Sequence, residues 1–148
     1  MTEASILERP GLDALFVALQ RRGYTLIGPL VRQRAVVYDE IRATADLPAG
    51  VTDVQEGGSY RISQDGGAAL FSHNVGPNSW KSHLFPSRLR LWRARRGDDG
   101  GLEVEEAVPD DRPRALIGVR SCDLHAIAVQ DRVLMEGAHV DREYAARR

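Results

Sequence analysis

Hydrophobic and polar positions along the chain sort into short blocks whose period changes twice. In residues 11–22, Leu12, Leu15, Phe16 and Leu19 fall on one stripe at spacings of three and four, with Arg21 and Arg22 in the last turn and Gly23 behind them. Apolar residues at that spacing, late basic residues and a glycine stop predict a helix. Residues 24–30 and 35–41 are rich in Val, Ile and Tyr and flank the polar Arg32-Gln33-Arg34, a pattern that predicts a β-hairpin. Residues 46–58 carry Pro48, Gly50, Gly57 and Gly58 and read as loop, followed by a strand at 59–63 and a turn at Asp65-Gly66-Gly67. A strand at 68–72, a short helix at 78–84 stopped by Pro86, and strands at 89–95 and 102–108 around the Gly97–Gly101 turn complete a mainly antiparallel β region.

After Pro109-Asp110-Asp111-Arg112-Pro113 the pattern changes again. Ala115-Leu116-Ile117-Gly118-Val119 is an uninterrupted apolar run, which predicts a strand buried on both faces. Residues 123–135 are helical in period, with Leu124, Ile127, Ala128, Leu134 and Met135 expected to face inward, and the tail from Asp141 to Arg148 is helix-competent without a cap or closing apolar segment. The fold class expected is mixed α/β (α+β): an N-terminal helix, a mainly antiparallel sheet and a C-terminal strand-turn-helix unit, in one domain over residues 1–148.

Composition narrows the chemistry. A chain of 148 residues with 43% hydrophobic residues can build one core. Its 20 basic and 21 acidic residues give a net charge of −1, so no general attraction to nucleic acid or to anionic membranes is expected. No apolar run reaches the roughly 18 residues of a membrane span, and Met1-Thr2-Glu3-Ala4 lacks the order of a secretory leader, so a cytoplasmic location is expected. A single cysteine, Cys122, excludes an internal disulfide and any self-contained four-cysteine metal site.

Two places combine residues capable of chemistry. Arg120-Ser121-Cys122-Asp123 lies between the apolar strand and its helix, where side chains and amides at the carboxyl end of a strand face the crevice that binds ligands in α/β sheets. A helix N-terminus favours an anion, so Cys122 is placed for reactivity or for metal ligation, or else it is a small packing residue beside a first-turn acid. Asn78 to Pro86 holds two aromatics, Trp80 and Phe85, with Lys81, the chain's one lysine, and His83. Such a loop can hold a partner or an anionic cofactor through Trp80 and Lys81, or else Trp80, Leu84 and Phe85 pack the short helix onto the sheet. The four histidines show no tight ligand spacing. Asp39-Glu40 and Glu105-Glu106 are neighbours in strands and point to opposite faces, which favours one inward or edge residue and one solvated residue over an acid/base pair. No catalytic residue is assigned, and the phosphate-binding loop, the dinucleotide fingerprint, the nucleophile elbow and Cys-x-x-Cys do not occur.

Four blocks stand in a telling order: Tyr38-Asp39-Glu40-Ile41; Leu47-Pro48-Ala49-Gly50 with Asp53-Val54-Gln55 and Gly58-Ser59-Tyr60-Arg61; Ser79 to Pro86; and Gly118 to Ile127. In this order the chain, from about Thr25 onward, resembles the N-terminal region of the 4Fe-4S dicluster beta subunit of soluble NiFe hydrogenases (sulfhydrogenases) and the similar iron-sulfur subunit of anaerobic sulfite reductase. The resemblance implies a non-catalytic component that docks a ferredoxin-like iron-sulfur domain, a flavin (FAD/NAD(P)-binding) subunit, and hydrogenase or reductase subunits. It implies further that Cys122 gives one thiolate to a 4Fe-4S cluster whose other ligands come from downstream cysteines, with Arg120, Asp123, Trp80 and Lys81 around the cofactor. Ser121 and Ser87 stand where the family has proline, and its cysteine-rich segment is not in these 148 residues. Two other functions compete: a thiol-dependent enzyme with Cys122 as nucleophile beside His125, and a small-molecule or flavin-binding domain using Trp80 and Lys81.

Overall fold

The computed structural model describes residues 5–74, 76–98 and 100–148, so the first four residues, where the leader was sought, and Asp99 of the 97–101 turn lie outside the described residues. The elements are mixed α and β: four α-helices, one 3-10 turn and seven strands among the described residues, with the strands in three small sheets. The chain groups into two compact units, one running up to Trp80 and taking in Arg112–Leu124, the other formed by Lys81–Asp111 and His125–Arg148. Among the described residues no helix is long and apolar enough to cross a membrane.

In the first unit, helix α1 (Gly11–Arg21) follows its apolar stripe and buries Phe16. Strands β1 (Thr25–Arg32) and β2 (Ala35–Glu40) form the expected hairpin, joined by Gln33 and Arg34 at positive φ of 51° and 61°. This two-residue turn has the backbone that suits strand twist, although neither residue is of the type that adopts it readily. Central strand β1 also pairs in parallel with β7 (Arg114–Leu116), giving the order β2-β1-β7. The β1–β7 register ends at Ile27, and Pro29 sits two residues further on, where β1 no longer needs to donate to that side. Phe16, Leu26, Ile41 and Leu47 form the core, with Leu12, Leu19, Leu30, Leu70, Ala115 and Ile117 packed against it.

Three expectations change here. Residues read as loop contain β3 (Val51–Glu56), which pairs in full register with β4 (Ser59–Gln64), so Gly57-Gly58 is a hairpin turn. The strand was hidden because Thr52, Asp53 and Gln55 supply no apolar alternation; cross-strand bonds such as Thr52 Oγ1 to Ser63 Oγ at 2.9 Å take its place. Residues 68–72, read as a strand, are irregular: Ala69 C=O accepts from Gly50 N–H at 2.8 Å and Ala68 C=O from Arg9 at 2.5 Å, so their backbone groups are used without a ladder. Finally, β7 is three residues long and half-buried on the sheet edge, because Gly118 turns the chain at φ 81°.

In the second unit, β5 (Trp92–Arg96) and β6 (Leu102–Glu106) make an antiparallel ribbon exposed along its whole length. Helix α2 is a single turn (Lys81–Leu84), and α3 runs Ser121–Met135, beginning in the first unit. Of the five residues expected inside α3, Ile127 is buried, Leu134 and Met135 are half-buried, and Leu124 and Ala128 are exposed. The tail helix begins on a cap. Asp141 accepts from Tyr144 N–H at 2.9 Å to start α4 (Arg142–Arg147), and Tyr144, fully buried, donates its hydroxyl to Asp131 at 2.7 Å. Arg148 completes this anchor with bonds of 2.9 and 3.1 Å to the Asp131 carboxylate.

Candidate functional site

The site is built where β7 turns into α3. Gly118 adopts φ 81°, which favours glycine, and a Cβ there would lie 2.6 Å from the Phe71 ring. Arg120 then acts as the N-cap: its N–H donates to Asp123 Oδ2 at 3.3 Å and its C=O accepts from Leu124 N–H at 3.0 Å. Its guanidinium reaches the Phe71 C=O at 3.4 Å. Ser121, Cys122 and Asp123 thus occupy the first turn of a 15-residue helix, with Cys122 exposed.

Behind this turn stands Tyr38 of β2, 7% exposed. Its hydroxyl is held above the ordinary phenol range, first by burial and then by the negative charge of Asp123, with Arg120 acting in the opposite sense; Cys122 and Tyr60 add smaller upward effects. The Tyr38 ring stacks on Trp80 with centroids 4.0 Å apart and planes at 25°. Arg120, Cys122, Asp123 and Trp80 therefore gather around one tyrosine. Trp80 is 1% exposed, and its ring is packed against Tyr38. Lys81, the fifth candidate, opens α2 in the second unit and lies 5.8 Å over the Phe85 ring, an exposed cation on an aromatic face.

Three neighbours of the turn were not singled out for chemistry by the sequence. Tyr60 accepts from Val36 N–H at 3.3 Å, and its hydroxyl is shifted upward, chiefly by burial. His73 is 2% exposed, and its Nδ1 has no hydrogen-bond partner among the described residues. Burial pushes the His73 imidazole toward the neutral form, the Arg120 charge pushes the same way, and Asp53 opposes both. Asp53 also accepts from Asn74 N–H, which pins the loop that carries His73 to strand β3. Tyr38, Asp53 and Tyr60 stood inside the quoted blocks, whereas nothing in the spacing of His73 marked it.

Chemically the arrangement offers one reachable thiol at a helix N-terminus, backed by aromatic rings and by the Arg120 and Asp123 charges. Among the described residues no group of three or more His, Cys, Asp or Glu side chains could hold a metal ion. A lone thiol is one donor, fewer than the four that an iron-sulfur cluster or a structural zinc takes. A concavity of about 700 Å³ in the first unit is lined by residues including Leu30, Arg42, Asp46 and Pro48, and includes none of the residues around Tyr38. His125, one turn along α3 from Cys122, is exposed on the helix. Comparison of the chain with protein-family models, with curated proteins and with solved structures finds no match in any of the three.

Proposed function

We propose that this chain is a scaffold and docking domain of an iron-sulfur electron-transfer subunit in a hydrogenase- or sulfite-reductase-type complex, without catalysis of its own. One observation carries the reading. The four blocks on which the resemblance rests are far apart in sequence, yet each supplies a residue to the surroundings of Tyr38: Tyr38 itself, Tyr60, Trp80, and Arg120 with Cys122 and Asp123. The exposed Cys122 supplies one thiolate to a cluster held jointly with another polypeptide, where a helix N-terminus favours the anionic assembly and backbone N–H groups can bond its sulfurs. The cluster itself would supply one-electron transfer; this chain supplies the platform, the ligand and the charge of Arg120.

The test is anaerobic purification of the chain with its partners from the native host, followed by spectra and iron content before and after the partners are removed. Iron and broad visible absorption that stay with the complex, leave the isolated chain colourless, and fall in a Cys122→Ser variant that still assembles are the expected result. A chain with no iron-bearing partner overturns it. The exposure of Cys122 also suits a second reading, a thiol-dependent enzyme; alkylation of Cys122 much faster than that of a free thiol near neutral pH, in a partnerless chain, would favour that one.

A further inference from the structure

The β5–β6 ribbon has two unlike faces, fixed by its register. On one face Arg93 pairs with Glu105 at 2.6 Å and Arg95 with Glu103 at 2.6 Å, so its charges are met within the ribbon. The other face carries the cross-strand pairs Trp92 with Glu106, Ala94 with Val104, and Arg96 with Leu102. Trp92, Val104 and Leu102 are 60%, 60% and 73% exposed, an apolar strip on a two-stranded ribbon. A lone hairpin is marginal in water until its apolar face is covered.

The ends of that strip indicate what covers it. Arg96 stands opposite Leu102 at the turn end, and Glu106 stands opposite Trp92 at the open end. A two-fold axis crossing the strands through the Ala94–Val104 pair lays the Arg96–Leu102 pair of one copy over the Trp92–Glu106 pair of the other. Each Arg96 then meets both the face of a Trp92 ring and the carboxylate of a Glu106, and the apolar centres close on each other at the spacing of stacked sheets. The face is self-complementary in charge as well as apolar, the condition for an isologous contact. We propose that this ribbon face is a self-association surface, through which a second copy of the chain docks face to face. This goes beyond the scaffold reading and does not depend on it. Three apolar side chains and two charge pairs make a small contact beside the roughly 20–30 residues a side of a stable interface, so the association is weak, with a Kd on the order of 100 µM.

Sedimentation of the full chain over a concentration series from about 10 µM to 1 mM, a range set to bracket that affinity, is the test. The chain is expected to pass from monomer to dimer, with Trp92 emission moving to shorter wavelength as its ring is covered. Arg96→Glu and Glu106→Arg should each weaken association about tenfold, because symmetry reverses two charge pairs at once, and the double swap should recover part of it, the charge pairs but not the Arg-on-Trp92 contact. Val104→Lys, at the centre, should abolish it, and unchanged circular dichroism will show that these exposed substitutions leave the chain folded. A chain that stays monomeric throughout, or one whose association ignores the single charge swaps, overturns the proposal and leaves the face to a different protein.

Discussion

Tyr38 and Trp80 lie 42 residues apart in sequence and stack at 4.0 Å, joining the second strand of the first sheet to the last residue of that unit's leading segment. Both are almost wholly buried, so the pair is part of the packed interior. Removing either ring leaves a void that its neighbours refill incompletely. Trp80→Ala is expected to cost about 3–5 kcal/mol and Tyr38→Ala a comparable amount. The double mutant should cost less than the sum by about 0.5–1.5 kcal/mol, the coupling of a stacked pair. Urea unfolding of the four proteins measures this, and strict additivity would show that the stacking adds nothing beyond burial.

His73 sets an acid limit on the same unit. Its folded-state affinity for a proton lies below the ordinary imidazole value of 6.5, because burial and Arg120 both penalise the imidazolium. The unfolded chain therefore takes up the proton first, and stability, complete above pH 6.5, declines as the pH falls below it. The carboxylates of Asp13, Asp46 and Asp131 are shifted below 3.8, so their contributions are present above that value and fade below it. The two effects occupy separate windows. Stability measured between about pH 7 and pH 5 should fall in the wild type and stay nearly flat in His73→Leu; a wild type equally flat would place the proton elsewhere.

Much of this architecture was legible in the chain, because helix α1, the β1–β2 hairpin and the Gly118–Cys122 junction announce themselves through period and glycine. What stayed hidden has two causes: a strand without apolar alternation, and groups whose partners are distant in sequence. Strand β3 has almost no apolar pattern and is defined by pairing with β4. Residues 68–72 look like a strand and are instead consumed by Arg9 and Gly50. At the site, Arg120, Cys122 and Asp123 were found from the strand-to-helix junction, but His73 entered through a loop fixed by Asp53. Trp80 was visible as an aromatic in an unusual segment, while its burial against Tyr38 depends on a strand 40 residues earlier.

Gly118 is the position where the junction is most sensitive. An alanine there must hold φ near 81°, at a cost of about 1–2 kcal/mol, and its methyl group meets the Phe71 ring. Phe71 is 41% exposed, so the ring can swing aside, and the contact adds less than a rigid wall would. Gly118→Ala should therefore lose about 2 kcal/mol in denaturant unfolding, consistent with the left-handed penalty plus a small steric part. Adding Phe71→Ala should recover the steric part alone. Full recovery would mean that the backbone at 118 is not held in the left-handed region.

The Gln33-Arg34 turn offers the opposite case, a place where the chain can be improved. Both residues sit at positive φ, 51° and 61°, in a two-residue hairpin connection that Asn-Gly fills with little strain. Neither Gln33 nor Arg34 is in the core, so exchanging them disturbs the turn and little else. Gln33→Asn with Arg34→Gly should raise stability by about 1 kcal/mol, since the relief of left-handed strain at two positions outweighs the extra unfolded-state freedom that glycine brings. Thermal unfolding should shift upward by several degrees for a chain of this size. A decrease would show that the Arg34 side chain, which borders a hollow beside Tyr60, Arg61 and Ile62, contributes more to the hairpin than its backbone costs.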